Sequence, residues 1–156
     1  MNRFRIFILS VALISFAVLT WSSVSFADTA SHRTADGKLK VLYQIDGSDL
    51  GTVKYAMALI NKHIEAEGGP DKIDLVVVVH GPALMLFDKA NLDPGLAAGL
   101  KKILENGARP EMCQVSMKIF KKPLDQLADG FQPTAHPVAV KRIADLQAEG
   151  YLYIKP

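Results

Sequence analysis

Ile73-Asp-Leu-Val-Val-Val-Val79 narrows the possible folds more than any other stretch of this chain. Its four consecutive valines put β-branched side chains on both faces of a strand, so both faces need apolar cover. A strand with one wet face would alternate apolar and polar residues, and this one does not. The run is therefore expected to be the central strand of a parallel sheet with helices on either side. His80-Gly-Pro82 closes it with a turn at the carboxyl edge of that sheet.

The flanking segments fit the same plan. Leu39 to Ile45 reads as a second buried strand, followed by the turn Asp46-Gly-Ser-Asp-Leu-Gly51. Val53, Met57, Ile60 and Ile64 then recur at helical spacing until Glu67-Gly-Gly-Pro70 stops the helix. Asp93-Pro94 supplies an N-cap and a first-turn proline for a helix burying Leu96, Leu100, Ile103 and Leu104. Arg109 to Met117 reads as a short strand running into a helix, which Pro123 must end. A short helix over Leu124 to Ala128 follows, and Phe131 to Pro137 is at best an edge strand because of Pro133. Pro137 opens a last helix with Val140, Ile143 and Leu146 inward, and Tyr151 to Ile154 is a final strand. Strands alternating with helices make one α/β domain over residues 39–156 with a mainly parallel sheet.

The residues before it carry an address. Met1 to Arg5 is basic, Ile6 to Thr20 is apolar and uncharged, and Ser25 and Ala27 stand at the −3 and −1 sites of a cleavable signal peptide over 1–27. The apolar run is shorter than the ~20 residues that span a bilayer, so no stable membrane insertion is expected after cleavage. Asp28 to Lys38 is polar and without period, a flexible lead-in. Losing Arg3 and Arg5 reduces 18 basic residues to 16, which matches the 16 acidic ones. A neutral chain with no basic stripe points away from nucleic acid as a partner. The expected location is the periplasm.

Export sharpens the meaning of Cys113, the single cysteine among 156 residues. In an oxidising compartment a lone cysteine is buried and inert, paired between chains, or a thiol in use. Cys113 falls where a strand meets a helix, at the rim of the sheet, and outward-facing amides of a helix start favour a thiolate. His80 and Gly81 end the central strand on the same edge, where the ring can line a pocket and the glycine allows close approach. Asp46, Gly47, Ser48 and Asp49 also lie on that edge; they read as a capping turn and as a pocket wall. Gln114 follows the cysteine and completes the expected lining. The glycine spacing fits neither a Walker loop nor a dinucleotide fingerprint. The four histidines are scattered without the close spacing of a zinc site, so no metal and no other cofactor is expected.

Four stretches, VLYQIDGSDLGTVKYAMALINKHI, IDLVVVVHGPAL, PEMCQVSM and AVKRIADLQAEGYLYIKP, together give the mature chain a resemblance to the DsrE/DsrF-like family of sulfur-relay proteins, YchN-like members included. The resemblance implies a three-layer α/β/α sandwich around a five-stranded sheet and assembly into homo-oligomers. It also implies that Cys113 accepts or carries sulfane sulfur as a persulfide, exchanging it with a donor or acceptor protein. Gln114-Val115-Ser116 stands where family members often carry an Asn-Thr pair, and export is a second departure. The competing expectation is an oligomeric binding module for a small ligand or partner protein, in which the thiol does no chemistry.

Overall fold

The computed structural model describes residues 31–156. The expected signal peptide over 1–27 lies outside them. Five strands form one all-parallel sheet: β1 (Leu39–Ile45), β2 (Ile73–Val79), β3 (Arg109–Met112), β4 (Gln132–Pro133) and β5 (Leu152–Ile154), in the order β4-β3-β2-β1-β5. The valine run is the middle strand, as its two-faced apolar character requires. Pro133 sits in the two-residue edge strand β4, where its missing N–H costs no ladder bond.

Four helices cover the sheet: α1 (Leu50–Ala66), α2 (Pro94–Glu105), α3 (Gln114–Ile119) and α4 (Ala139–Ala148). The connections from β1 through β4 all step in one direction, so right-handed crossovers place their helices on one face. There Val41, Tyr43, Ile45, Leu75, Val77, Val79 and Met112 pack with the buried stripes of α1 and α2. The return from β4 to β5 runs the opposite way, and the same handedness puts α4 on the other face. That face is thinner: Leu42, Val76, Val78 and Cys113 pack beneath Ala139, Ile143 and Leu146.

Local expectations change at several points. The last helix begins at Ala139 after a Val138 cap, two residues beyond Pro137. Val140 does not point inward; it is 68% exposed, and Ala139 takes its place in the buried stripe with Ile143 and Leu146. Positions 139, 143 and 146 subtend a narrower arc of the helix than 140, 143 and 146, and the alanine fits closely over the sheet. The segment after Pro123 is a single 3-10 turn, Leu124–Gln126. Ala83 to Phe87 lies in a longer 3-10 stretch, Gly81–Phe87, that buries Ala83, Leu84 and Phe87. Of the lead-in, residues 31–38 form a turn closed by Thr34 and Lys38. His32 Nδ1 bonds Gly150 O at 2.7 Å and Arg33 bridges Leu39.

Candidate functional site

Three ladders end on the same step. The His80 N–H donates to Ile45 O (3.0 Å), the Cys113 N–H to Val79 O (2.9 Å) and the Thr134 N–H to Met112 O (3.0 Å). Continuing the paired registers by one residue sets Asp46, His80, Cys113 and Thr134 in a row across the carboxyl edge. Side chains at matched positions of parallel strands share a face, here the α4 face. Sequence places Asp46, His80 and Cys113 on that edge; Thr134 joins them only through the pairing of β4 with β3.

Cys113 does not stand open at the rim. It is 4% exposed and belongs to the cluster under α4, with Val76 and Val78 below it and Ala139 beside it. The strand end places it there, and the chain from Thr134 to Ala139 folds back over it. Its Sγ donates to Pro137 O at 3.6 Å, while the Val115 N–H donates to the same carbonyl at 3.1 Å. Burial pushes the thiol pKa up. Opposing it are donors from the Ser116 hydroxyl and from the Ser116, Ala139 and Val115 amides, and together they hold the thiol below its ordinary value. These groups belong to the first turns of α3 and α4.

Ser116 connects the cysteine to the turn after β2. Its Oγ accepts the Gly81 N–H at 2.8 Å, which leaves its own proton free for the sulfur. Gly81 adopts φ +59°, a conformation glycine takes without strain, and this aims its N–H at Ser116. Ser116→Ala removes a donor to the thiolate and orphans the Gly81 amide. The rate of Cys113 alkylation by iodoacetamide at neutral pH is expected to fall about tenfold, with the midpoint of its pH profile moving upward. An unchanged profile would mean that the hydroxyl does not act on the sulfur. The signal was available: N-cap and third helical positions face each other, and Cys113-Gln-Val-Ser116 has that spacing.

His80 turns toward β1. The Gln44 amide donates to His80 Nε2 (2.8 Å) and to Asp46 Oδ2 (3.1 Å), and Lys155 Nζ lies 2.8 Å from that same oxygen. The Tyr153 hydroxyl donates to Gln44 Oε1. Burial holds the imidazole below its ordinary value; Asp46 opposes this and Lys155 adds to it, so the ring is neutral at pH 7. Burial pushes the Asp46 carboxyl up, but Lys155, His80 and Gln44 together bring it down. Among the described residues no hydrogen bond joins the His80 ring to the thiol. Gln44 was detectable as a polar residue inside an apolar strand, whereas Tyr153 and Lys155 enter only through the pairing of β5 with β1.

The remaining expected residues disperse. Asp46 and Gly47 line a cavity of about 190 Å³ with Gln44 and Lys155. Ser48 and Asp49 are exposed, and Asp49 caps α1 by accepting the Thr52 N–H at 2.7 Å. Gln114 donates to Thr134 O at 2.7 Å and lines a separate shallow cleft along α3. Among the described residues no three histidine, cysteine or acidic side chains converge to hold a metal ion.

A five-stranded all-parallel sheet flanked by helices defines the class of fold, and the DsrE/DsrF-like family model matches residues 39–156. The chain belongs to the DsrE/DsrF-like family, which is associated with sulfur relay. Solved structures share its fold, two of them as follows. A protein of unknown function, MTH1491, from Methanobacterium thermoautotrophicum is 18% identical with a TM-score of 0.65, over 74% of this chain and 97% of that one. The YchN protein from E. coli is 13% identical with a TM-score of 0.54, over 75% and 98%. No curated protein matches the sequence.

Proposed function

We propose that this is an exported, periplasmic sulfur carrier, in which Cys113 accepts sulfane sulfur and passes it on. The single observation carrying this reading is the sulfur's position: Cys113 stands at the N-cap of α3 beside Ser116, where neighbouring hydroxyl and amide groups bring its pKa down against burial and so favour the attacking thiolate. The residues beside it, His80 and Asp46, hold a neutral ring and an anion at the sheet edge, where α/β proteins bind ligands. Carriage ends with transfer to a partner protein, and Cys113 is the atom that the two would share.

The chain acts as a homo-oligomer in this reading. Ile119 is 69% exposed, and Val138 and Val140 are exposed after Pro137, so the segments that flank the thiol carry exposed apolar side chains. With no stable membrane insertion after cleavage, the assembly is free in the periplasm.

Burial of the thiol favours a second reading, a non-catalytic oligomeric binding module. Mass spectrometry of the purified exported protein separates the two. A sulfur carrier begins at Asp28 and gains the mass of a sulfur atom on exposure to inorganic polysulfide, a gain that a thiol reductant reverses. A chain that gains nothing while folded, and reacts only after denaturation, is the binding module.

A further inference from the structure

Thr134 carries an oddity that the cysteine's own surroundings do not explain. Its hydroxyl is the one buried side-chain polar atom among the described residues with no hydrogen-bond partner, and the residue is 1% exposed. Leaving a hydroxyl in this state costs stability, and native proteins rarely do so without cause. The backbone around it is not loose: the Thr134 N–H bonds Met112 O at 3.0 Å, and Thr134 O accepts the Gln114 side chain at 2.7 Å. The unsatisfied group is thus held in place one strand across from Cys113, on the same face. It also begins the loop that returns over the sulfur at Pro137.

We propose that the Thr134 hydroxyl is the donor that holds the outer sulfur of a Cys113 persulfide. This rests on the sulfur-carrier reading and adds the residue that selects the loaded state. The substrate class is a low-molecular-weight persulfide or polysulfide. The Cys113 thiolate attacks the terminal sulfur of R–S–SH, the Sγ–S bond forms, the donor's own S–S bond breaks, and R–S⁻ leaves with the electron pair. No oxidant or reductant is consumed. The empty-handed thiol has its own donors in Ser116 and the helix amides, so Thr134 has nothing to bind until a second sulfur atom extends toward β4. A persulfide sulfur is anionic at neutral pH, and a hydrogen bond to a charged acceptor is among the stronger ones.

The test compares the purified parent chain with Thr134→Val, which deletes the hydroxyl at nearly constant shape, and Thr134→Ser, which keeps it. Each is loaded with inorganic polysulfide, freed of excess reagent, and followed by intact mass as the added sulfur is lost to dithiothreitol. Thr134→Val is expected to lose it about tenfold faster than the parent. Thr134→Ser should stay within a few-fold of the parent by the same reasoning. Alkylation of the unloaded thiol is expected to be alike in all three, and Thr134→Val to melt no lower than the parent. A valine variant that loads and keeps sulfur like the parent overturns the role of Thr134 and leaves the carrier reading intact. A parent chain that never loads overturns both. Equal changes in loaded and unloaded reactivity would show that Thr134 acts only on packing, which also overturns the proposal.

Discussion

Cys113→Ser is expected to abolish the gain of mass that inorganic polysulfide gives the parent chain, and to do so without unfolding it. No other thiol exists in the sequence, and a serine hydroxyl does not form a persulfide. Serine keeps the donor to Pro137 O, so the turn between β3 and α3 retains its tie to the loop that covers it. A sulfur atom retained by the variant would place the chemistry elsewhere and end the carrier reading. The pH dependence of stability supplies a second measurement. In the folded chain the thiol lies below its ordinary value of 9.0, because the Ser116, Ala139 and Val115 donors outweigh burial. Between its folded and unfolded values, the unfolded chain therefore binds more protons than the folded one, and stability rises with pH. That contribution is fully present above the unfolded value and is lost as pH falls through the folded one. Urea melts at a series of pH values should show the parent gaining on Cys113→Ser as pH approaches 9.0. A constant difference would mean that the thiol titrates alike in both states.

Arg142→Ala is expected to destabilise the protein by about 3–5 kcal/mol, the loss typical of removing one partner from a buried ion pair. Arg142 donates from Nε to Glu111 Oε2 at 2.9 Å and from Nη2 to Oε1 at 2.8 Å, and Glu111 is 3% exposed. Without the guanidinium, the Glu111 carboxylate stays buried on β3 with no cation to face it. Replacing both residues by leucine should recover most of the loss, since the penalty comes from the uncompensated charge and not from a missing attraction. The effect reaches the site, because this pair clamps α4 onto the thin face of the sheet and Ala139 of α4 lies against Cys113. A bulky disulfide reagent should therefore modify Cys113 faster in Arg142→Ala than in the parent. Denaturation midpoints and modification rates measured together check this. A loss below about 1 kcal/mol would put the pair in the class of solvent-screened surface bridges.

The covering of the thiol is also where the sequence and the structure diverge. Periodicity alone found the strands and the long helices, because those signals are local: four valines in a row need two apolar faces wherever they are placed. The parallel sheet, its five strands and the central position of Ile73–Val79 follow from that logic. Cys113 at a strand-to-helix turn was likewise legible, since a strand pattern gives way to a helical one at that residue. Its burial was not. Exposure depends on the segment from Thr134 to Ala139, which is distant along the chain and has no period of its own to read.

Sequence, then, determined the parallel α/β architecture, the edge of the sheet on which Asp46, His80 and Cys113 emerge, and the presence of one thiol. Tertiary structure decided which groups that thiol meets. The register of β4 on β3 brings Thr134 alongside it, the right-handed return to β5 puts α4 above it, and the turn at Gly81 ties Ser116 to it. Local patterning sets what each segment becomes, because backbone preferences and amphipathic period act over a few residues. The contacts that tune a buried sulfur join residues up to 35 positions apart, from Gly81 to Ser116, and only the packing of the whole sheet brings them within reach.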